Sequence, residues 1–433
     1  MEQSIWRETS ELPQFPHQEQ NLKTDVLIVG GGLAGLLCAH RLEQDGVDYV
    51  LIEADRICSG ISGNTTAKIT SQHGLIYEKM FRRFGAERAK GYYQANQNAL
   101  KTYENLAKEL SFSFEMKDNY LYATQSPEQL ELEMEALERI CIPATYEDSL
   151  SLPIPTTGAI RFSNQAQFHP LEFAAQIAPK LRILERTKAK EFAGNRVRTN
   201  WGTITADKII IATHFPILNK HGAYYLKQYQ SRAYVMALKD APQLEGMYLG
   251  IDGWKLSFRN WQNHLLLGGG GHRTGKNSDG WNQLERFSRI HYPDCRIVSR
   301  WAAQDCMTLD DIPYIGQYSP GTPDLYVATG FNKWGMTSSM VAADILADLV
   351  QGKKNEFAWV FSPERSVLRP KLLCNVAESA INLLTPTKPR CPHLGCALKW
   401  NPQERSWDCP CHGSRFSENG ELLDNPATDD LNR

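Results

Sequence analysis

An apolar run, Asp25 to Gly30 (DVLIVG), passes directly into Gly31-Gly32-Leu33-Ala34-Gly35 and then into a helical pattern from Leu36 to Asp45. No other feature narrows the fold as much. The β-branched run reads as a buried strand, the glycines as a tight turn, and the residues that follow as a helix. A second apolar run, Tyr49 to Ile52, ends on Glu53 and completes a βαβ unit. Parallel strands need crossovers, and crossover helices cover both faces of the sheet. The predicted class is therefore α/β with a parallel, Rossmann-like sheet.

The spacing Gly30-x-Gly32-x-x-Gly35 also carries chemistry. Without Cβ atoms the backbone can approach a pyrophosphate, and the free N–H groups at a helix start face the anion. Glu53, ending the second strand, stands where a carboxylate accepts hydrogen bonds from an adenosine ribose. A carboxylate there argues against the 2′-phosphate of NADP and leaves FAD or NAD.

The 433-residue chain is long enough for two or three domains. Helical patterns run from Ala89 to Leu110 and from Ser126 to Ile140, the second opening with a capping-box start, Ser126-Pro127-x-Gln129. Between about 119 and 161, and again from about 224 to 271, aromatic strand-like stretches break the βα alternation and predict an inserted antiparallel sheet. Lys208 to Thr213 and Leu325 to Thr329 return the chain to the first sheet. Ser362 to Leu384 reads as a helical linker stopped by Pro386 and Pro389. A formal charge of −2 gives no field for nucleic acid. The polar stretch Met1 to Thr24 lacks a signal h-region, and no apolar run reaches the ~18 residues of a bilayer span, so the expectation is a cytoplasmic chain with no membrane span.

Three further segments carry a family resemblance. Gly60-Ile61-Ser62-Gly63-Asn64-Thr65-Thr66, Thr308-Leu309-Asp310-Asp311-Ile312-Pro313-Tyr314-Ile315-Gly316 and Ala328 to Thr337 resemble the second small-residue loop, the T-x-D-x-x-P-x-I-G segment and the closing flavin loop of the DAO-like superfamily of D-amino-acid and glycine oxidases. The resemblance spans roughly residues 20 to 355 and implies FAD. It makes Gly30, Gly32, Leu33, Ala34, Gly35, Glu53, Arg56, Gly60, Ser62, Thr65, Thr66, Ala189, Thr213, Gly330, Trp334, Gly335, Met336 and Thr337 the candidate FAD-binding residues. A helix starting near Gly335 would stabilise the negative charge that a flavin gains around N1 and C2=O on accepting hydride.

The ten cysteines divide into six scattered singly and four, Cys391, Cys396, Cys409 and Cys411, crowded into one segment with His393 and His412. Two Cys/His loops suit a structural zinc ion or an iron–sulfur cluster. The surrounding residues, CPHLGC and CPCHGS, resemble Rieske proteins. That resemblance implies a 2Fe-2S cluster held by Cys391, His393, Cys409 and His412, with Cys396 and Cys411 in the place of the disulfide of high-potential members. Ser414 stands where a hydroxyl donates to a cluster sulfide, and Phe416 replaces a Tyr hydroxyl, which implies a lower potential. Asn425-Pro426-Ala427 departs from the usual Gly-Pro-Ala, and the helical Ser362 to Arg390 stretch implies a shortened base for the Rieske fold.

The expected organisation is an FAD-binding domain from 1–118, 162–223 and 301–355, an inserted substrate domain from 119–161 and 224–300, a linker at 356–388, and a small all-β Rieske-type module at 389–433. The substrate is expected to be a small amine or amino-acid-like molecule. Relatives of this kind carry an Arg before the T-x-D segment, whereas this chain has Asp305, which would favour a cationic group if it faces the pocket. Asp305 could equally cap a turn or pair with Arg300. His272, Arg259, Tyr234 and Tyr248 sit on substrate-domain strands, and Asp305, His272 and Arg259 are the candidate catalytic residues. The resemblances together imply hydride transfer to FAD, with electrons leaving through the cluster to an unknown redox acceptor. The alternatives are a plain amine oxidase with a zinc-binding or inert tail, and a redox-sensing flavoprotein without turnover.

Overall fold

The computed structural model describes residues 3–366, 368–386 and 389–431. Its first sheet runs in the order Tyr314–Gln317, Leu325–Thr329, Thr203–Ile211, Leu22–Val29, Tyr49–Ile52, Ile183–Leu184. The five strands from Leu325–Thr329 onward are parallel, with Val26 opposite both Tyr49 and Lys208. Tyr314–Gln317 closes one edge antiparallel. Alternate residues of Leu22–Val29 feed different cores: Val26 and Ile28 pack with the helices Leu33–Gln44 and Gly335–Val350, and Leu27 and Val29 with Val50, Ile211 and Val327 on the other face. Burial on both faces is why the strand reads as one unbroken apolar run.

The inserted sheet has the order Arg296–Thr308, Gln228–Lys239, His264–Arg273, Ser257–Trp261, Met247–Gly250, Phe114–Ala123, Gly158–Phe168, Lys68–Ile69. Every pair in that order is antiparallel except Met247–Gly250 against Phe114–Ala123, which is parallel. The strands Phe114–Ala123, Gly158–Phe168 and Arg296–Thr308 run through positions 119, 161 and 300, so the sheet extends past those sequence-based bounds. Lys68–Ile69 also joins it, carried over from the small-residue loop. The helix Gly280–His291 buries Leu284 and Phe287 against its far side.

A third sheet of four three-residue strands, Lys399–Asn401, Ser406–Asp408, Arg415–Ser417 and Leu422–Asp424, holds the C-terminal module. Its core is small: four cysteines with Leu398, Phe416 and Ala427. So little apolar area does not support an independent fold, and two additions compensate. A disulfide joins Cys396 to Cys411, and the module lies against the body through buried polar contacts. The helix Pro370–Leu384 leads into it, preceded by the short helix Ala358–Phe361.

The polar N-terminal stretch hides a structural anchor. Ile5–Thr9 forms a helix whose Trp6 is fully buried, edge-on to both His169 and Trp261. Among the described residues no helix is long and apolar enough to cross a membrane.

Candidate flavin and cluster sites

The glycine turn is shaped first by the fold. Gly30 has φ +113°, and a Cβ on it would lie 2.6 Å from the Ala212 carbonyl oxygen. A Cβ on Gly35 would lie 1.9 Å from the Gly30 oxygen, so that glycine lets the helix approach the strand. At the helix start the Leu33 N–H donates to Ser62 Oγ at 2.9 Å, and the Gly31 N–H donates to Glu53 at 2.6 Å. Burial raises the Glu53 pKa, and N–H donors at Asp55 and Gly31 oppose the rise.

A cavity of about 560 Å³ opens from this helix start and reaches the start of the helix Gly335–Val350. Gly32, Leu33, Ala34, Ser62, Thr65 and Thr66 line one end, and Trp334, Gly335 and Met336 another. Two helix N-termini therefore face one cavity, a donor set that fits a diphosphate and an anionic flavin ring. Gly30, Gly35, Glu53, Gly60, Ala189, Thr213 and Gly330 lie outside its lining. Arg56 points away to pair with Glu185 at 2.8 Å. The Thr337 hydroxyl is engaged by Thr70 and His73.

Asp305 borders the same cavity, which is also lined by His214, Tyr234, Lys68 and Lys333. It sits in mid-strand opposite Ser231, so it caps no turn. Arg300 instead pairs with Glu285 at 3.4 Å and lies over Trp281. Burial raises the Asp305 pKa, opposed by Lys333, His214 and Arg232. Lys68 is enclosed by protein, donates to the Tyr248 carbonyl and Ser257 Oγ, and has its pKa lowered to about 7 by burial and Arg259. Sequence reasoning missed Lys68, Lys333 and His214. The signal for His214 is its left-handed φ of +66° one turn beyond the strand Thr203–Ile211, which no pattern in the sequence marks.

Two of the three catalytic candidates lie away from the cavity lining. Arg259 is 1% exposed and lies behind the cavity wall over Trp6, donating to the carbonyls of Thr66 and Ala67 at 2.7 Å. It braces the loop and touches no open space. His272 stacks on Tyr234 on the side of the sheet that meets the C-terminal module, with a ring contact to the Gly270 carbonyl. Tyr248 likewise lies outside the cavity, stacked on Tyr120.

The two Cys/His loops share one backbone design. Gly395 N–H donates to the Cys391 carbonyl and Gly413 N–H to the Cys409 carbonyl, both at 2.9 Å, with both glycines at positive φ. This brings the His393 and His412 rings to 5.0 Å, edge to face. His393 Nε2 contacts Asn219 Oδ1 at 2.9 Å, which leaves its buried Nδ1 without a partner, and neither ring nitrogen of His412 has one. Burial lowers the two imidazole pKa values to about 4 and about 3, so both rings are neutral as ligands must be. Cys391 and Cys409 are buried free thiols. The sulfurs of Cys396, Cys409 and Cys411 lie within 4.8 Å of one another, but the disulfide removes two of them as thiolate ligands. Two free thiols and two neutral imidazoles, each with a buried ring nitrogen left without a partner, fit a His-ligated 2Fe-2S cluster.

The body holds these loops closely. Gln304 donates to the Gly413 carbonyl at 2.8 Å, Gln230 to the His412 and Asn425 carbonyls, and Arg273 to the Pro410 and Cys411 carbonyls at 3.1 Å. Asn425 donates to the carbonyls of Thr213 and Phe215, which gives its departure from glycine a docking role. Arg232, Glu404 and Arg415 form a buried ionic network across the boundary.

A family model for FAD dependent oxidoreductases matches residues 25–349, three quarters of the chain. The chain belongs to this FAD-dependent oxidoreductase family. A Rieske [2Fe-2S] domain model matches residues 376–433. YhfW of Bacillus subtilis (strain 168), which carries the name of a Rieske 2Fe-2S iron-sulfur protein, is 34% identical over 98% of this chain and 96% of its own length. Gamma-glutamylputrescine oxidoreductase of Escherichia coli is 22% identical over 79% of this chain and 87% of its own. The crystal structure of glycine oxidase from Geobacillus kaustophilus superposes with a TM-score of 0.67 at 19% identity, covering 80% of this chain and 99% of that one. The protein is thus a flavoenzyme of this family, with FAD and a Rieske-type 2Fe-2S cluster as its cofactors.

Proposed function

We propose that the protein oxidises a small amine or amino-acid-like substrate at its FAD and that the electrons leave through the 2Fe-2S module to a separate redox acceptor. The observation that carries this reading is the strand Arg296–Thr308, where Asp305 borders the cavity while the neighbouring Gln304 holds the second cluster loop. FAD supplies a two-electron acceptor and the cluster a one-electron carrier, which suits delivery to a partner better than delivery to oxygen.

The residues of the cavity divide the work by charge. The Asp305 carboxylate would accept a hydrogen bond from the substrate amine and so orient the substrate in the cavity. Lys68 spends two donors on Tyr248 and Ser257 and keeps a third for a substrate carboxylate. The pair suits an amino acid better than a plain diamine, since both ends of the molecule find an opposite charge. His214, which lines the cavity with Asp305, would take the proton that the amine releases. The names of the glycine oxidase and gamma-glutamylputrescine oxidoreductase relatives are consistent with this substrate class.

The test is steady-state oxidation of a panel of amines and amino acids by the full-length protein, with an artificial one-electron acceptor or with oxygen. Faster turnover with the acceptor supports the reading. Equal turnover with oxygen, or no flavin bleaching with any member of the panel, contradicts it.

A further inference from the structure

The helix Pro370–Leu384 is inside out. Its inward residues are polar: Asn375 and Asn382 are buried, with Asn375 accepting from Arg273 at 2.8 Å, and Glu378 pairs with Lys276 at 2.7 Å. Its outward face is apolar. Leu373, Val376, Ile381 and Leu384 are 73%, 44%, 62% and 83% exposed, with Ala377 and Ala380 exposed between them. At 100° per residue Leu373, Ala377, Ala380 and Leu384 fall on one stripe, flanked by Val376 and Ile381. A surface helix normally turns such a stripe inward, so this face is built to be covered.

The order of residues along the stripe says by what. Read from either end it is the same: Leu373 answers Leu384, Val376 answers Ile381, and Ala377 answers Ala380, about a centre between Glu378 and Ser379. A two-fold axis at that centre sets the helix antiparallel to its own copy, each large residue at one end meeting its counterpart at the other. The two alanines at the crossing let the backbones approach. An interface of this kind is isologous, each residue i meeting j and j meeting i. Antiparallel pairing also places each helix N-terminus beside its partner's C-terminus, which the helix dipoles favour. The exposures, with Leu368 and Leu383 on the flanks, offer roughly 600 Å² per copy, so a pair covers roughly 1,200 Å², enough for a specific interface.

We propose that this face is the dimer interface of the protein, occupied by a second copy of the chain. The pairing bears on the cluster loop, because the Asn382 carbonyl accepts from the Ala397 N–H at 2.9 Å and Arg390 donates to the Leu383 carbonyl.

Sedimentation equilibrium of the full-length protein at micromolar concentration tests this. The expected result is twice the chain mass, with a dissociation constant at least about 100-fold weaker in Ala377→Glu and unchanged in Leu132→Glu, whose side chain is exposed on another helix. An Ala377→Cys/Ala380→Cys variant is expected to form covalent dimers on mild oxidation, a second readout if the charged variant folds poorly. A monomeric wild type overturns the proposal, and so does a dimer indifferent to Ala377→Glu. A monomer that sediments with phosphatidylcholine–phosphatidylglycerol vesicles also overturns it and assigns the face to lipid.

Discussion

Gln304 and Asp305 are consecutive residues that serve two different sites. The Gln304 amide donates to the Gly413 carbonyl at 2.8 Å and accepts from Thr274 Oγ1 at 2.9 Å, while the next side chain borders the cavity. Alternation along a strand puts the two on opposite faces, so one peptide separates the cluster loop from the cavity. Truncating Gln304 leaves a buried carbonyl without its donor. Gln304→Ala is expected to cost about 1–3 kcal/mol in denaturant unfolding, with the C-terminal module loosening first. An unfolding midpoint equal to that of wild type would remove Gln304 from the docking contact.

Asp305→Asn keeps the shape and removes the charge. If the carboxylate receives the substrate amine, kcat/KM for amines falls roughly 10- to 100-fold, the worth of one charge-assisted hydrogen bond. The flavin spectrum should not change. Unaltered kcat/KM across the substrate panel would place the amine elsewhere.

If Lys68 receives a substrate carboxylate, it sets a pH dependence for amino-acid substrates. Its pKa is lowered to about 7, so it is cationic below that pH and neutral above it. KM for amino acids is expected to rise as pH increases through about 7, while KM for amines without a carboxylate does not follow. Lys68→Met should abolish the difference between the two classes, as read from KM against pH.

How much of this was legible in the sequence depends on how local the cause is. The strand, glycine turn and helix at Asp25 to Gln44 are set by neighbours a few residues apart, and the Cys/His loops carry their turn chemistry with them. The position of Arg259 away from the cavity was not legible because its neighbours along the strand do not say which face is open. Carbonyls from Thr66, Ala67 and Phe168, contributed by distant segments, decide that. The buried Trp6 and the partners of Glu404 are hidden for the same reason. The parallel junction of Met247–Gly250 with Phe114–Ala123 joins strands more than a hundred residues apart, beyond the reach of any periodicity.

Glu404 sets the acid limit of module docking. Burial pushes its carboxyl up, but Arg232 and Arg415 outweigh burial and bring the pKa down to about 2. A carboxylate held below its unfolded value of about 4.3 stabilises the native state above that pH and loses the contribution as pH falls toward about 2. Hydrogen-exchange protection of residues 399–424 should therefore drop as pH falls from about 4 to about 2 while that of Leu22–Val29 persists. Equal retention in both segments would contradict it.

The Cys396–Cys411 disulfide closes a loop spanning 15 residues in a module with little core. Replacing both by Ser is expected to lower module stability by roughly 2–4 kcal/mol. Guanidinium unfolding followed by the visible absorption of the cluster measures it, and an unchanged midpoint would assign the disulfide no structural role.

In the proposed relay one chain couples amine oxidation to its cluster. Anaerobic rapid mixing of the full-length protein with an oxidisable amine, followed by optical spectra and freeze-quenched EPR, tests it most directly. The expected result is a fall in flavin absorbance and the appearance, without oxygen, of the rhombic signal of a reduced His-ligated 2Fe-2S cluster. Bleached flavin beside a cluster that stays EPR-silent, or a metal site filled by zinc, would contradict the relay and leave an amine oxidase with a structural tail.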